Sequence, residues 1–214
     1  IRNNNHGGII VLDIDNRQAT NLTDAKLVGD IINNGGGSIE VELHDTRLEG
    51  SVFNNADGDI ELNISNAGQV GNITNSATGT IKAEFNNSSL KGFIRQDGGI
   101  GSGIDASFIG KSWEMTDSSS LNELSLDTTE VVFSAVTPNT PFVGRTLKVN
   151  NLTSSGDSSI TLYTVFGDDK SETDKIIIDG ETLGATALNI QKAGGNGALT
   201  TTGIMVVDAT NGIT

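Results

Sequence analysis

Leu27-Val28-Gly29-Asp30-Ile31 returns as Leu48-Glu49-Gly50-Ser51-Val52, then as Gln69-Val70-Gly71-Asn72-Ile73, and finally as Leu90-Lys91-Gly92-Phe93-Ile94, with the same step along the chain each time. A fixed period of roughly 20 residues marks a solenoid, in which each turn covers its apolar face only by stacking on its neighbours. The glycines Gly29, Gly50, Gly71 and Gly92 hold the same place in every repeat. Any function carried by this half of the chain is expected along an extended surface rather than in a pocket.

Between the glycines run alternating strands: Ile39-Val41-Leu43, Ile60-Leu62-Ile64 and Ile81-Ala83-Phe85, with polar residues interleaved. Period-2 alternation predicts half-buried strands whose polar side chains face water. Asp24, Asp45, Asn66 and Asn87 stand in register before each glycine segment. Short Asx side chains favour turns, so this column predicts one corner of the coil. Asn33-Asn34, Asn54-Asn55 and Asn75-Ser76, followed by Gly37, Gly58 and Gly79, predict a second corner.

Two departures define the ends of the regular run. Ile10-Leu12-Ile14 lies farther ahead of Ile39-Val41-Leu43 than the repeat allows, which predicts a loop of eight extra residues around 17–21. Ile104-Ala106-Phe108 likewise follows Ile81-Ala83-Phe85 late, placing two extra residues in the Gly98–Gly103 stretch. About five coils at the ~4.8 Å strand spacing give a rod roughly 20–25 Å long.

Composition agrees with an all-β chain. The 214 residues include 27 Gly, 2 Pro and few aromatics, and no apolar run reaches the ~18 residues that a spanning helix needs. No cleavable signal stands at Ile1, which falls mid-repeat, so the chain is read as part of a longer one. Residues 1–110 carry 7 basic and 14 acidic side chains, and 111–214 carry 6 and 13, so each half is −7. An evenly acidic surface argues against nucleic-acid and anionic-membrane partners. With no cysteine there are no disulfides.

At Lys111 the regular register stops. Trp113, the one tryptophan, opens a segment with Leu121, Leu124 and Leu126, followed by Thr146-Leu147-Lys148-Val149-Asn150-Asn151-Leu152 and a Ser154-Ser155-Gly156-Asp157 turn. Farther on come Asp174-Lys175-Ile176-Ile177-Ile178-Asp179-Gly180 and Gly184-Ala185-Thr186-Ala187-Leu188-Asn189-Ile190. The order W-x-M-T-x-x-S-S-L-x-x-L-x-L, T-L-x-V-N-N-L, D-K-I-x-I-x-G, G-x-x-x-L-x-I over about 112–208 resembles the end of an autotransporter passenger domain. Pertactin-like and self-associating adhesin passengers of Gram-negative bacteria share it.

The resemblance implies a right-handed parallel β-helix over 1–110 and a C-terminal autochaperone region over 111–214. It also implies a cell-surface or extracellular location and an outer-membrane β-barrel translocator as partner. A host-surface ligand, or identical passengers on other cells, are further partners of that class. On physical grounds alone, a stable C-terminal unit offers the template edge that each next coil needs. Trp113, Leu121, Leu124 and Leu126 are expected to join this unit to the last coil, with Ile176, Ile178, Leu188 and Ile190 as its core and Asp174, Gly180 and Gly184 as further structural residues.

Catalytic look-alikes are weaker. Gly156-Asp157-Ser158-Ser159 lacks the second glycine of a serine-protease nucleophile motif, and the only candidate bases, His6 and His44, lie far upstream in sequence. His44-Asp45 reads as a surface histidine beside a turn aspartate. Gly98-Gly99-Ile100-Gly101-Ser102-Gly103 approximates a calcium-roll repeat without its ligand aspartate or a tandem copy. No catalytic, cofactor-binding or metal-ligating set is assigned from the sequence, and no Cys/His metal spacing is present. Two functions stay open: a membrane-proximal stalk and folding nucleus of a surface adhesin, or a non-catalytic spacer below an upstream protease, esterase or toxin domain. Asn33, Asn54 and Asn75 form a candidate interaction ladder, with an internal corner ladder as the alternative.

Overall fold

The computed structural model describes residues 1–17, 25–98, 101–135 and 139–209, and every element in them is a strand. The first coil holds β1 (Arg2–Asn3), β2 (Ile9–Asp15) and β3 (Lys26–Val28). The second and third repeat it as β4 (Ile31–Asn33), β5 (Ser38–His44), β6 (Arg47–Glu49), and β7 (Val52–Asn54), β8 (Ile60–Ser65), β9 (Gly68–Val70). Next come β10 (Ile73–Asn75), β11 (Thr80–Asn86), β12 (Ser89–Gly92), then β13 (Ile94–Gln96), β14 (Gly103–Ile109) and β15 (Ser112–Met115). Each strand pairs in parallel with its counterpart one coil away, which makes three strand stacks and a parallel β-helix.

The predicted registers are those observed. Ile10, Leu12 and Ile14 stand opposite Ile39, Val41 and Leu43, and Ile81, Ala83 and Phe85 opposite Ile104, Ala106 and Phe108. Most of the loop expected around 17–21 falls outside the described residues, as do Asp24, Gly99 and Ile100. The Asx corner has a backbone cause: Asp45, Asn66 and Asn87 adopt φ of 52°, 57° and 47°. Asx residues tolerate this left-handed conformation better than other side chains do.

The solenoid does not end where the regular register ends. It continues through β16 (Ser119–Asp127), β17 (Glu130–Phe133), β18 (Thr146–Ser155), β19 (Ser159–Val165), β20 (Lys175–Ile178), β21 (Thr182–Gly184), β22 (Ala187–Gly194) and β23 (Val207–Ala209). The third stack alone runs through eight strands, from β3 to β22, among the described residues. Seven steps of ~4.8 Å make it roughly 34 Å long, longer than five coils allow. What changes at Lys111 is coil length. The pairing of Ser112 with Glu130 closes a short coil, whereas Leu124 with Leu152 and Val131 with Ile160 close long ones. Among the described residues, added ones lie where the third stack returns to the first, in the segments 139–145, 166–174 and 195–206.

β16 and β18 differ from the upstream strands by running straight through one corner. The first half of β16 pairs with β13 and the second half with β14. In β16 the buried positions pass from Leu121 to Leu124, and in β18 from Val149 to Leu152, a spacing of three that breaks the period of two. That phase slip keeps apolar side chains inside while the strand turns. One continuous core results, from Ile31 to Ile178, with Phe85, Phe108 and Trp113 stacked along its middle.

Candidate functional site

The glycine column is a steric necessity. A Cβ on Gly50 would lie 2.2 Å from the Gly29 carbonyl oxygen; on Gly71 it would lie 2.1 Å from that of Gly50, and on Gly92 2.0 Å from that of Gly71. Gly71 also sits at φ +147°, and Gly29 at φ +125°. The next residue in each coil ties the corner together. Asp30 Oδ1 accepts from Ser51 N–H at 2.8 Å, Ser51 Oγ from Asn72 N–H at 3.0 Å, and Asn72 Oδ1 from Phe93 N–H at 3.1 Å. Trp113 closes the column: its Nε1–H donates to the Gly92 carbonyl at 2.9 Å. Its ring stacks 5.5 Å from Phe108, itself 4.8 Å from Phe85, with planes within 5° of parallel. The tryptophan is the physical joint between the regular coils and those of varied length.

Asn33, Asn54 and Asn75 point inward and are completely buried. Each donates its Nδ2–H to the carbonyl of the glycine four residues on, at 2.9, 2.7 and 2.6 Å for Gly37, Gly58 and Gly79. Those glycines have no room for a side chain, since a Cβ on Gly58 would meet the Gly37 oxygen at 2.0 Å and the Asn33 amide at 2.8 Å. This is an internal corner ladder, out of reach of any partner. The outward ladder is displaced by one residue: Asn55 Nδ2–H donates to Asn34 Oδ1 at 3.0 Å, and Ser76 Oγ–H to Asn55 Oδ1 at 3.0 Å.

In the C-terminal coils Leu121, Leu124, Leu126, Ile176 and Ile178 are buried. Leu188 and Ile190 are not: they are 42 % and 41 % exposed. β22 is the last strand of the third stack among the described residues, so one side of it meets no further coil. With Leu152, Ile160, Ile178 and Val207, Leu188 lines an open apolar groove at this end. Gly180 fits beneath Asn151 Oδ1, and Gly184, at φ +91°, beneath the Ser154 carbonyl.

Asp174 is fully buried between two coils. Its Oδ1 accepts from Arg145 N–H at 2.8 Å and its Oδ2 from Tyr163 N–H at 2.9 Å. Burial pushes this carboxyl above the usual range, against the opposing pull of those two bonds and of the Arg145 charge. Asp169 works in the opposite sense. Its carboxylate accepts from the backbone N–H groups of Thr201, Thr202 and Gly203 at 2.8–3.2 Å, clipping one return segment to the next. These bonds, from Thr201 first, hold it below the usual range, opposed by desolvation.

The serine-protease look-alike is a corner. Gly156 turns at φ +61°, and Ser158 Oγ–H donates to the Ser155 carbonyl at 2.7 Å while accepting from Thr129 N–H at 3.2 Å. Both capacities of that hydroxyl serve the turn. His44 bonds through Nδ1 to Ser65 Oγ at 2.5 Å, one coil on, rather than to Asp45.

A three-stack solenoid around one continuous apolar core defines an elongated parallel β-helical scaffold. Residues 119–214 match the family described as Autochaperone Domain Type 1. Residues 119–214 are thus similar to the autochaperone region of an autotransporter passenger. Over 70 residues the chain is 37 % identical to the Adhesin BmaC autotransporter of Brucella suis biovar 1 (strain 1330), covering 31 % of this chain and 2 % of that relative. No solved structure matches. These similarities support a surface-exposed or secreted location reached through the outer membrane.

Proposed function

We propose that residues 111–214 form the folding nucleus onto which the coils of 1–110 are laid. The assembled rod then serves as the membrane-proximal stalk of a surface adhesin or self-associating passenger. The observation that carries this reading is the strand length of the C-terminal coils. β18 and β19 are ten and seven residues long, whereas β4, β5 and β6 are three, seven and three. A strand that crosses a corner fixes more ladder bonds per closed turn, and in a solenoid stability is set by each coil and its interfaces. β18 also spans its corner with side-chain bonds to both neighbouring coils: Asn151 donates to Glu123 at 2.6 Å and accepts from Glu181 N–H at 2.7 Å.

A stable end that reaches the outside first presents a free strand edge to the next coil, so folding proceeds by addition. Backsliding then requires unfolding a docked coil, and no external energy source is needed. The curated relative is named an adhesin, which supports the adhesin class; a host-surface ligand or identical passengers on other cells are the partners of that class. Denaturant unfolding of 1–214, 1–110 and 111–214 tests the nucleus. The proposal expects 111–214 to stay folded where 1–110 alone does not. A 1–110 fragment that folds cooperatively beside an unstructured 111–214 refutes it.

A further inference from the structure

The outer face of the second stack is acidic, and at its first two coils it carries a different donor set. Asp13 on β2 stands directly opposite Glu42 on β5, and Asp15 opposite His44. Residues two apart on a strand share a face, so Asp13, Glu42 and His44 project to the same side. A carboxylate oxygen from each acid and an imidazole nitrogen lie within 4.8 Å of one another. Ser65, on the third coil, is bonded to His44 Nδ1 at 2.5 Å. That contact leaves Nε2 as the outward nitrogen, 4.0 Å from a Glu42 carboxylate oxygen. A hydrogen bond on the far ring nitrogen is the device that orients metal-binding histidines.

We propose that Asp13, Glu42 and His44 form a divalent transition-metal site that staples the first coil to the second, with Zn²⁺ as the best-fitting ion. Tetrahedral zinc bonds of ~2.0–2.1 Å place ligand atoms roughly 3.3 Å apart, and solvent supplies the fourth position. Closing from 4.8 Å needs only rotations of the two exposed acid side chains, because the strands already hold their backbones opposite one another. An imidazole with two carboxylates favours zinc, nickel or copper over calcium, which takes six or more oxygens. Asp15 is held in an ion pair with Arg17 at 2.5 Å and is not needed as a ligand. No sequence spacing displays the set, since its members come from two different coils.

The test is zinc titration of the whole EDTA-treated chain by calorimetry, with Co²⁺ absorption as a spectroscopic report of imidazole and carboxylate ligation. The inference predicts one zinc per chain, a rise in melting temperature with zinc but not with calcium, and visible Co²⁺ bands. It further predicts at least a tenfold loss of zinc affinity in His44→Gln and in the Asp13→Asn/Glu42→Gln double variant, with His6→Gln unchanged. All three variants alter exposed or half-exposed side chains, and circular dichroism verifies their fold. Absent zinc binding, zinc binding lost with His6 instead of His44, or binding of wild-type strength in both site variants overturns it.

Discussion

Replacing Gly71 by alanine tests the origin of the repeat. The added Cβ would sit 2.1 Å from the Gly50 carbonyl oxygen, 2.5 Å from its carbon and 3.0 Å from the Ser51 nitrogen, all backbone atoms of the preceding coil. Ordinary contact needs about 3.4 Å or more, so the coils must part by roughly 1 Å at that corner. The bonds across that gap, Gly50 N–H to the Val70 carbonyl at 3.0 Å and Val52 N–H to the Asn72 carbonyl at 2.8 Å, do not survive that displacement. Their loss costs about 1 kcal/mol each. The backbone at φ +147° adds about 1–3 kcal/mol for a residue with a side chain. A total of about 3–5 kcal/mol is a large share of a typical stability of ~5–15 kcal/mol. Urea unfolding followed by circular dichroism measures it. Gly29→Ala, at the foot of the column with nothing within 4 Å, should show the conformational cost alone. Gly7→Ala, also in open space, should change stability by less than ~0.5 kcal/mol. A Gly71→Ala protein within ~1 kcal/mol of wild type refutes the steric account of the column.

Trp113→Phe removes the donor to the Gly92 carbonyl and shrinks a fully buried ring, and should cost about 2–3 kcal/mol by urea unfolding. Asp174→Ala strips two backbone N–H groups of their acceptor and should cost about 3 kcal/mol by the same assay. The pH dependence at Asp174 has a definite sign. Its carboxyl is raised above the ordinary 3.8, so its stabilising contribution is full below that value and falls as pH rises through the raised one. Asp174→Asn should remove that downward slope from a stability–pH profile. Asp169 behaves oppositely: being lowered, its contribution is full above 3.8 and is lost as pH falls through the depressed value. Hydrogen exchange at Thr201, Thr202 and Gly203 should therefore quicken in Asp169→Ala, relative to flanking amides, at any pH above the ordinary carboxylate range.

Much of the fold was legible because a solenoid repeats its constraints. Every regular coil needs a glycine where the coil below offers a carbonyl, an Asx where the backbone turns left-handed, and alternating apolar residues between them. The apparent boundary at Lys111 was legible as a change of text but not as a continuation of the stack. Once coil length varies from one turn to the next, no period remains to read, and only strand pairing reveals the ladder. The Leu121–Leu124 spacing did hold the signal for a strand bending through a corner. Inward and outward asparagines were not separable in the sequence, because Asn33 and Asn34 are adjacent and identical in type. Only the path of the chain decides which of them caps Gly37 from inside. Leu188 and Ile190 read as core for the same reason that Ile176 and Ile178 do; their exposure follows from position at the end of a stack, which composition cannot express. The partners of Asp169 are backbone groups a full coil farther along the chain, a pairing that no local spacing expresses.

The claim that the C-terminal coils are the stable seed of the rod is tested most directly by native-state hydrogen exchange on the whole chain. Amides in β16, β18 and β19 should open only with the highest free energies, with protection falling coil by coil toward β2 and β5. Highest protection in β5, β8 and β11, with β18 and β19 exchanging first, would contradict it.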